Sequence, residues 1–249
     1  MIRRLRQRLP LLASLITLAA FGMPAAAQQS GACADPPRYR QQRPDPDGIG
    51  KVYQGREIAH VMGWQAAPWL ERPEREEEER VSLMLTELRL QPGLVVADIG
   101  AGSGYHVRRI APLLGPSGRV MAVDIQPQML ELIRQIPRAP TDAPIEAVLG
   151  SARDAGLAAH SVDLAFMVDV YHELEYPCEV LESVVRALKP GGQLVFVEYR
   201  GEDALVPIKP LHKMTERQIR REAAVQALRW ERTSRRLPWQ HMVFFRKPS

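Results

Sequence analysis

Residues 95–107, VVADIGAGSGYHV, set an acid and three alternate glycines at the end of an apolar run. The run predicts a buried strand that turns directly into a helix. Such a turn lets a ligand approach the backbone N–H groups that open the helix. A dinucleotide fingerprint, G-x-G-x-x-G, uses its third glycine for close packing of helix on strand. Here the glycines are Gly100, Gly102 and Gly104, and Tyr105 stands where that third glycine would fall. Asp98, two residues ahead of the first glycine, would repel a pyrophosphate and suits a ligand carrying an ammonium group.

Outward from this turn the chain alternates strand and helix. Apolar strands are predicted at 94–98, 119–124, 145–149, 162–168 and 193–199, with helices at 104–114, 126–136 and 177–188. Several strands are apolar on successive residues, as expected for strands covered on both faces. The pattern implies an α/β fold: a doubly wound, mostly parallel Rossmann-like sheet with helices on both faces. Thr215 followed by Gln218 reads as a capping box for a helix over 216–229. Two strands at 228–235 and 240–246 then predict a C-terminal antiparallel hairpin.

Asp98-Ile99-Gly100-Ala101-Gly102-Ser103-Gly104 resembles the E/D-x-G-x-G-x-G motif of class I S-adenosylmethionine-dependent methyltransferases. The resemblance extends over roughly residues 80–200 and includes the LKPGG turn, Leu188 to Gly192, before the fifth strand. It implies S-adenosylmethionine as cofactor and methyl transfer to a small-molecule acceptor. The glycines and Ala101 would meet the methionyl part, and Asp98 would organise its amino group. Asp124, ending the second strand, is placed to accept both ribose hydroxyls, with Ile125 packed on the adenine and Tyr105 lining the methionine end. Many family members carry an acid directly after the glycine that ends the third strand. Here Ser151 occupies that place and Asp154 follows three residues later, so Asp154, or Ser151 with a backbone amide, would face the adenine.

Ligands of open α/β sheets bind beyond the carboxyl ends of the strands. Asp169, Tyr171, His172 and Glu173 follow the fourth strand, so Asp169 joins the cofactor set. His172 is a candidate catalytic base, with Glu173 or Asp169 orienting it, or else a residue that caps the next helix. Glu198, Tyr199 and Arg200 end the fifth strand where substrate would enter, and His106 is a further candidate contact. Lys209, His212 and Lys213 follow in a Pro-flanked loop, as a polar wall or a solvated surface.

The N-terminal part divides into three. Arg3, Arg4, Arg6 and Arg8, an apolar stretch and Ala25-Ala26-Ala27 give residues 1–27 the layout of a secretory signal. Residues 28–55 read as an extended Pro-rich lead-in, and 56–92 as helices, with 93–249 the methyltransferase domain. The N-terminal helices could fold over the cofactor as a lid, with Tyr53, Arg56 and His60 as substrate contacts. The acidic run Glu76 to Glu79 reads as a solvated helix face.

The net charge of +4 comes wholly from the four arginines of the signal, so the remainder is balanced and gives no support for a nucleic-acid partner. Cys33 and Cys178, 145 residues apart, read as free thiols, and no Cys/His spacing resembles a metal site. These features predict an exported, periplasmic bacterial enzyme with no membrane anchor once the signal is cleaved, or a cytoplasmic one if the signal is unused. The alternative is an exported binding protein of the same fold that holds S-adenosylmethionine or a nucleoside without transferring anything. A nicotinamide-dependent oxidoreductase is disfavoured by Tyr105 and the LKPGG turn.

Overall fold

The computed structural model describes Cys33 and residues 38–249; the predicted signal 1–27 lies outside the described residues. Three short strands come first: β1 (Tyr39–Gln41), β2 (Gly48–Tyr53) and β3 (Arg56–Ala59), paired antiparallel in that order. Residues 56–59, expected to begin a helix, therefore form a strand. The reason is local: Tyr53 pairs with Arg56 across a two-residue turn, and Gln54 and Gly55 both have positive φ (46° and 96°). Such a turn is a hairpin signal, and the glycine makes it inexpensive. The Pro-rich lead-in is thus partly a sheet.

A one-turn helix at Trp64–Ala66 runs into α1 (Ala67–Leu70). The single helix expected over 73–90 is two, α2 (Arg75–Glu79) and α3 (Val81–Leu88), separated by a left-handed Arg80 (φ 50°). The break leaves Glu79 facing the interior, contrary to the solvated face expected of it, and 1 % exposed.

The larger sheet follows the predicted alternation: β4 (Val95–Ile99), α4 (Val107–Leu114), β5 (Arg119–Asp124), α5 (Pro127–Arg134), β6 (Ile145–Leu149) and β7 (Val162–Val168). Then come α6 (Pro177–Ala187), β8 (Leu188–Tyr199), α7 (Glu216–Ala223), β9 (Arg229–Ser234) and β10 (Gln240–Arg246). The strand order is β6-β5-β4-β7-β8-β10-β9, parallel from β6 to β8, with β10 antiparallel to both its neighbours. Thr215 caps α7, its side chain accepting from the Gln218 N–H.

Successive residues on the central strands face opposite cores. Val96, Phe166 and Val195 pack with Met84, Ile110 and Leu130 on one side, while Ala97, Met167 and Phe196 pack with Leu181, Val184 and Ile219 on the other. The chain leaves β4 toward β5 on one side and reaches β7 on the other, so the crevice that a doubly wound sheet offers a ligand opens past β4 and β7.

The two cysteines are not free. Cys33 and Cys178 form a disulfide, with Cα atoms 5.7 Å apart, beside the buried Tyr53 and Ile58. The small sheet folds back onto the start of α6 and brings together thiols that sequence distance keeps far apart. Among the described residues no helix is long and apolar enough to cross a membrane.

Candidate active site

A cavity of about 690 Å³ opens where the sheet topology requires it, past the carboxyl ends of β4, β5, β7 and β8. Its floor is the glycine turn. Gly100, Gly102 and Gly104 all have positive φ, and a Cβ at Gly100 would lie 2.3 Å from Val170. Gly100 and Gly102 line the cavity, whereas Gly104 faces the end of α5: a Cβ there would lie 3.1 Å from Ile133 and 2.5 Å from Ile136 just beyond the helix. Its glycine therefore serves helix–helix packing. Ala101 and Tyr105 are buried in the core, and Tyr105 lies under the guanidinium groups of Arg75, Arg108 and Arg109. Neither lines the cavity.

Asp124 does line it, with Oδ2 accepting from the Gly102 N–H (2.9 Å) and Oδ1 from the Gln126 N–H (2.8 Å). Burial raises its pKa against those backbone bonds. Ile125 beside it is exposed on the cavity wall. Asp154 also reaches the wall, but both oxygens have donors: Arg186 at 2.7 Å and the Gly156 N–H at 2.8 Å. The Ser151 hydroxyl accepts from the Asp154 N–H within the same loop (3.0 Å). The loop is held in shape by the two residues expected to read an adenine.

At the other end of the turn lies a set of buried acids. Asp98, behind Gly100 and not on the cavity wall, has an Oδ2 with no partner among the described residues; its pKa is pushed up to about 8 by burial and Asp124, against the opposing charge of Arg75. Asp169 takes a left-handed φ of 53° and lines the cavity; Gln240 donates to its Oδ2 (2.6 Å), while its buried Oδ1 has no donor among the described residues. Burial, with Glu79 and Glu198 nearby, holds its carboxyl well above the usual range. Glu79 pairs with Arg72 (2.7 Å) and Arg75 (2.8 Å) and accepts from the Tyr199 hydroxyl (3.1 Å). Arg75, Glu79 and Arg72 were missed from sequence, because an acid- and Arg-rich helix start reads as solvated.

The third group follows β7. The His172 Nδ1 lies 2.6 Å from Glu198 Oε2, and the other Glu198 oxygen accepts from the Tyr171 N–H (2.9 Å). Glu198, not Asp169, therefore orients the imidazole. Burial alone would lower the His172 pKa, but Glu198 and Glu173 outweigh it and hold it near 10. Glu173 is brought to about 2 against its burial, by hydrogen bonds from His172 and His212. The His172 Nε2 is 3.2 Å from His212 Nδ1, so the loop histidine belongs to the site.

The remaining expected contacts lie elsewhere. Arg56 is spent on Glu222 (2.7 Å) and on the Tyr171 and His172 carbonyls, so it fixes the turn that carries His172. Tyr53 is fully buried against Tyr39, and His60 is exposed away from the cavity. His106 is buried between Tyr105 and Phe166, and burial with nearby arginines lowers its pKa. Arg200 ties the Leu237, Pro238 and Gln240 carbonyls together. Tyr199 lines the cavity; Glu198 lies behind it. In place of the three lid candidates, residues 61–64 cross the cavity mouth. Gln126 accepts from the Trp64 N–H (2.8 Å) and donates to the Met62 carbonyl (3.0 Å), while Glu173 Oε2 accepts from the Met62 N–H (3.1 Å). The strap is a backbone feature, invisible to a search for reactive side chains.

A family model described as a methyltransferase domain matches residues 97–196. Among curated proteins, a protein-L-isoaspartate O-methyltransferase of Aeropyrum pernix is 34% identical over 119 residues, covering 46% of this chain and 42% of its own. A ubiquinone/menaquinone biosynthesis C-methyltransferase of Ectopseudomonas mendocina is 28% identical over 122 residues, covering 49% and 47%. The chain spans about half the length of these curated relatives. A solved structure, a SAM dependent methyltransferase from Aquifex aeolicus, superposes with a TM-score of 0.68 at 22% identity, over 75% of this chain and all of that one.

Proposed function

We propose, from the methyltransferase-domain match over residues 97–196, that this chain is a class I S-adenosylmethionine-dependent methyltransferase that transfers a methyl group to a small molecule. S-adenosylmethionine is the cofactor of the family, and the residues present fit it. The observation that carries the reading is the buried Asp169 oxygen on the cavity wall, with a second on Asp98 behind the glycine turn, neither of which has a donor among the described residues. A carboxylate left so in a native fold needs a partner, and an ammonium group supplies one. Asp124, with Ile125 beside it, would hold the ribose and adenine.

The bound cofactor supplies an electrophilic methyl group on a sulfonium. The chain's own residues hold the reactants in line, which accounts for much of the rate in such a transfer. The strap of residues 61–64 is held at the mouth by Gln126 and Glu173, and His172 and Glu173 line the cavity where an acceptor would sit. A strapped cavity of this size favours a small acceptor over a folded protein surface. We also infer export, on the signal-like residues 1–27, and the buried Cys33–Cys178 disulfide supports an oxidising compartment.

Calorimetry with S-adenosylmethionine and its demethylated product, followed by label transfer from the methyl-labelled cofactor across a metabolite panel, tests the proposal. Binding of both and a labelled small product are expected. No binding of either ligand would sink it, and binding with no transfer to any acceptor would favour the non-catalytic binding protein.

A further inference from the structure

We propose that His172, Glu173 and His212 form a site for one divalent metal ion of the zinc class, with its remaining coordination position open to the cavity. The sequence suggested no metal centre, because two of these residues are adjacent and the third lies in a loop 40 residues on, outside the short Cys/His spacings of structural zinc sites.

The geometry carries the assignment. The His172 Nε2 and His212 Nδ1 are 3.2 Å apart, and Glu173 Oε1 lies 3.7 Å from the first and 3.5 Å from the second. A point equidistant from all three atoms lies ~2.0 Å from each, the length of a zinc bond to imidazole nitrogen or carboxylate oxygen. Two histidines and a glutamate are a ligand set that catalytic zinc uses with a further position left to water or substrate. All three line the cavity, so that position faces the acceptor end.

Each ligand is also held from behind. Glu198 Oε2, 2.6 Å from the His172 Nδ1, fixes that nitrogen as a donor and turns Nε2, whose proton a metal ion would displace, toward the other two ligands. Glu198 is itself fully buried and tied to the Tyr171 N–H. Glu173 spends Oε2 on the Met62 N–H of the strap (3.1 Å), which leaves Oε1 for the metal. His212 sits in a one-turn helix, Pro210–His212, whose leading proline restricts the backbone. A carboxylate behind a histidine, a buried anchor behind that carboxylate, and a backbone donor on the other ligand are the supports that metal ligands require.

The site also narrows the acceptor, an extension that rests on the methyltransferase reading. A metal ion with an open position binds a hydroxyl or thiol and lowers its pKa, so that the proton leaves to solvent and the charged oxygen or sulfur stays at the ion. The favoured acceptor class is therefore a small alcohol, phenol or thiol.

Untagged protein stripped with a chelator is titrated with Zn²⁺ by calorimetry and with Co²⁺ by visible absorption. One equivalent of each is expected, with the intense bands of four- or five-coordinate cobalt. His212→Ala should weaken both at least 100-fold and Glu198→Gln 10- to 100-fold, while His60→Ala, exposed outside the site, should bind as the parent does. His212 is partly exposed in a surface turn, and thermal melts of His212→Ala and of a second ligand variant, Glu173→Gln, separate lost ligation from lost fold. Failure to bind either ion stoichiometrically, or binding that a folded His212→Ala retains, overturns the proposal in favour of a hydrogen-bonded His–His–Glu network. Neither result touches cofactor binding, which is measured separately with the metal-free protein.

Discussion

Asp98 offers the sharpest test of the cofactor site, because its charge state and its proposed ligand are linked. In the free protein its pKa stands at about 8, with burial as the main cause. Arg75 opposes the shift from α2 and Asp124 adds to it from β5. At pH 6 the group is therefore protonated, and a ligand whose ammonium needs the ionised form must expel that proton. Each pH unit well below 8 then weakens the cofactor about tenfold, or ~1.4 kcal/mol; Asp98 is itself half ionised at pH 8, so affinity falls about 50-fold from pH 8 to pH 6. Above pH ~8 the ligand's own amino group loses its charge, so affinity peaks near that pH. Calorimetry in two buffers of different ionisation enthalpy should count close to one proton released at pH 6. Adenosine, which lacks the ammonium, should release none, and Asp98→Asn should flatten the acid limb while lowering affinity throughout. A wild-type profile flat from pH 6 to 8, or an acid limb that Asp98→Asn leaves unchanged, would refute the reasoning. The same shift fixes the sign for stability. A raised acid keeps in the fold a proton that the unfolded chain releases above its value of 3.8. Stability is thus lost as pH rises from there to about 8 and levels off beyond, and Asp98→Asn should remove that slope in thermal melts.

Other perturbations separate ligand contacts from supports. Gly102→Ala forces φ +55° on a residue with a Cβ, 2.7 Å from Leu70, so a stability loss of ~1–2 kcal/mol and at least tenfold weaker cofactor are expected, by melting and calorimetry. Wild-type affinity in that variant would show that the ligand does not lie on the turn. Arg56→Ala strands the fully buried Glu222 and should cost ~3–5 kcal/mol in chemical denaturation, whereas His60→Ala should change neither stability nor turnover. Cys33→Ser should lower stability by ~2–4 kcal/mol, and a reductant should bring the parent protein to the same midpoint; equal midpoints with and without reductant would mean that the bond is not formed in solution.

The parallel sheet was legible because its signals are local. The strands Arg119–Asp124, Ile145–Leu149 and Val162–Val168 begin and end where the apolar runs do, and the capping Thr215 makes its expected bond to the Gln218 N–H. The N-terminal third was misread because its determinants are not local. Arg56 to Ala59 has no helix- or strand-specific period; the turn at Gln54-Gly55 and pairing with Gly48–Tyr53 decide it. Glu79 sits in an acidic run that would be solvated in isolation, but Arg75 on its own helix, Arg72 just before it and Tyr199 at the end of β8 draw it inward. The disulfide likewise depends on the small sheet returning to α6, which no spacing of two cysteines encodes.

The candidate site divides along the same line, and its charges explain why. Asp98, Gly100, Gly102 and Asp124 stand in a short motif whose geometry follows from one strand–turn–helix unit. The acids around them have to be matched across the whole fold. Glu79 has Arg72 and Arg75, and Glu198 has His172. Among the described residues, Asp98 has the charge of Arg75 near it but no donor on Oδ2, and Asp169 has the neutral Gln240 on one oxygen and no donor on the other. Burying these groups as anions is costly unless a cation joins them, and burial pushes both carboxyls toward their neutral form. S-adenosylmethionine carries an ammonium, a sulfonium and a carboxylate, a net charge of +1. Transfer of the methyl group removes the sulfonium charge and leaves the ammonium. A pocket with two underpaired acids therefore favours the cofactor before transfer over its demethylated product, and product release is eased by the reaction itself.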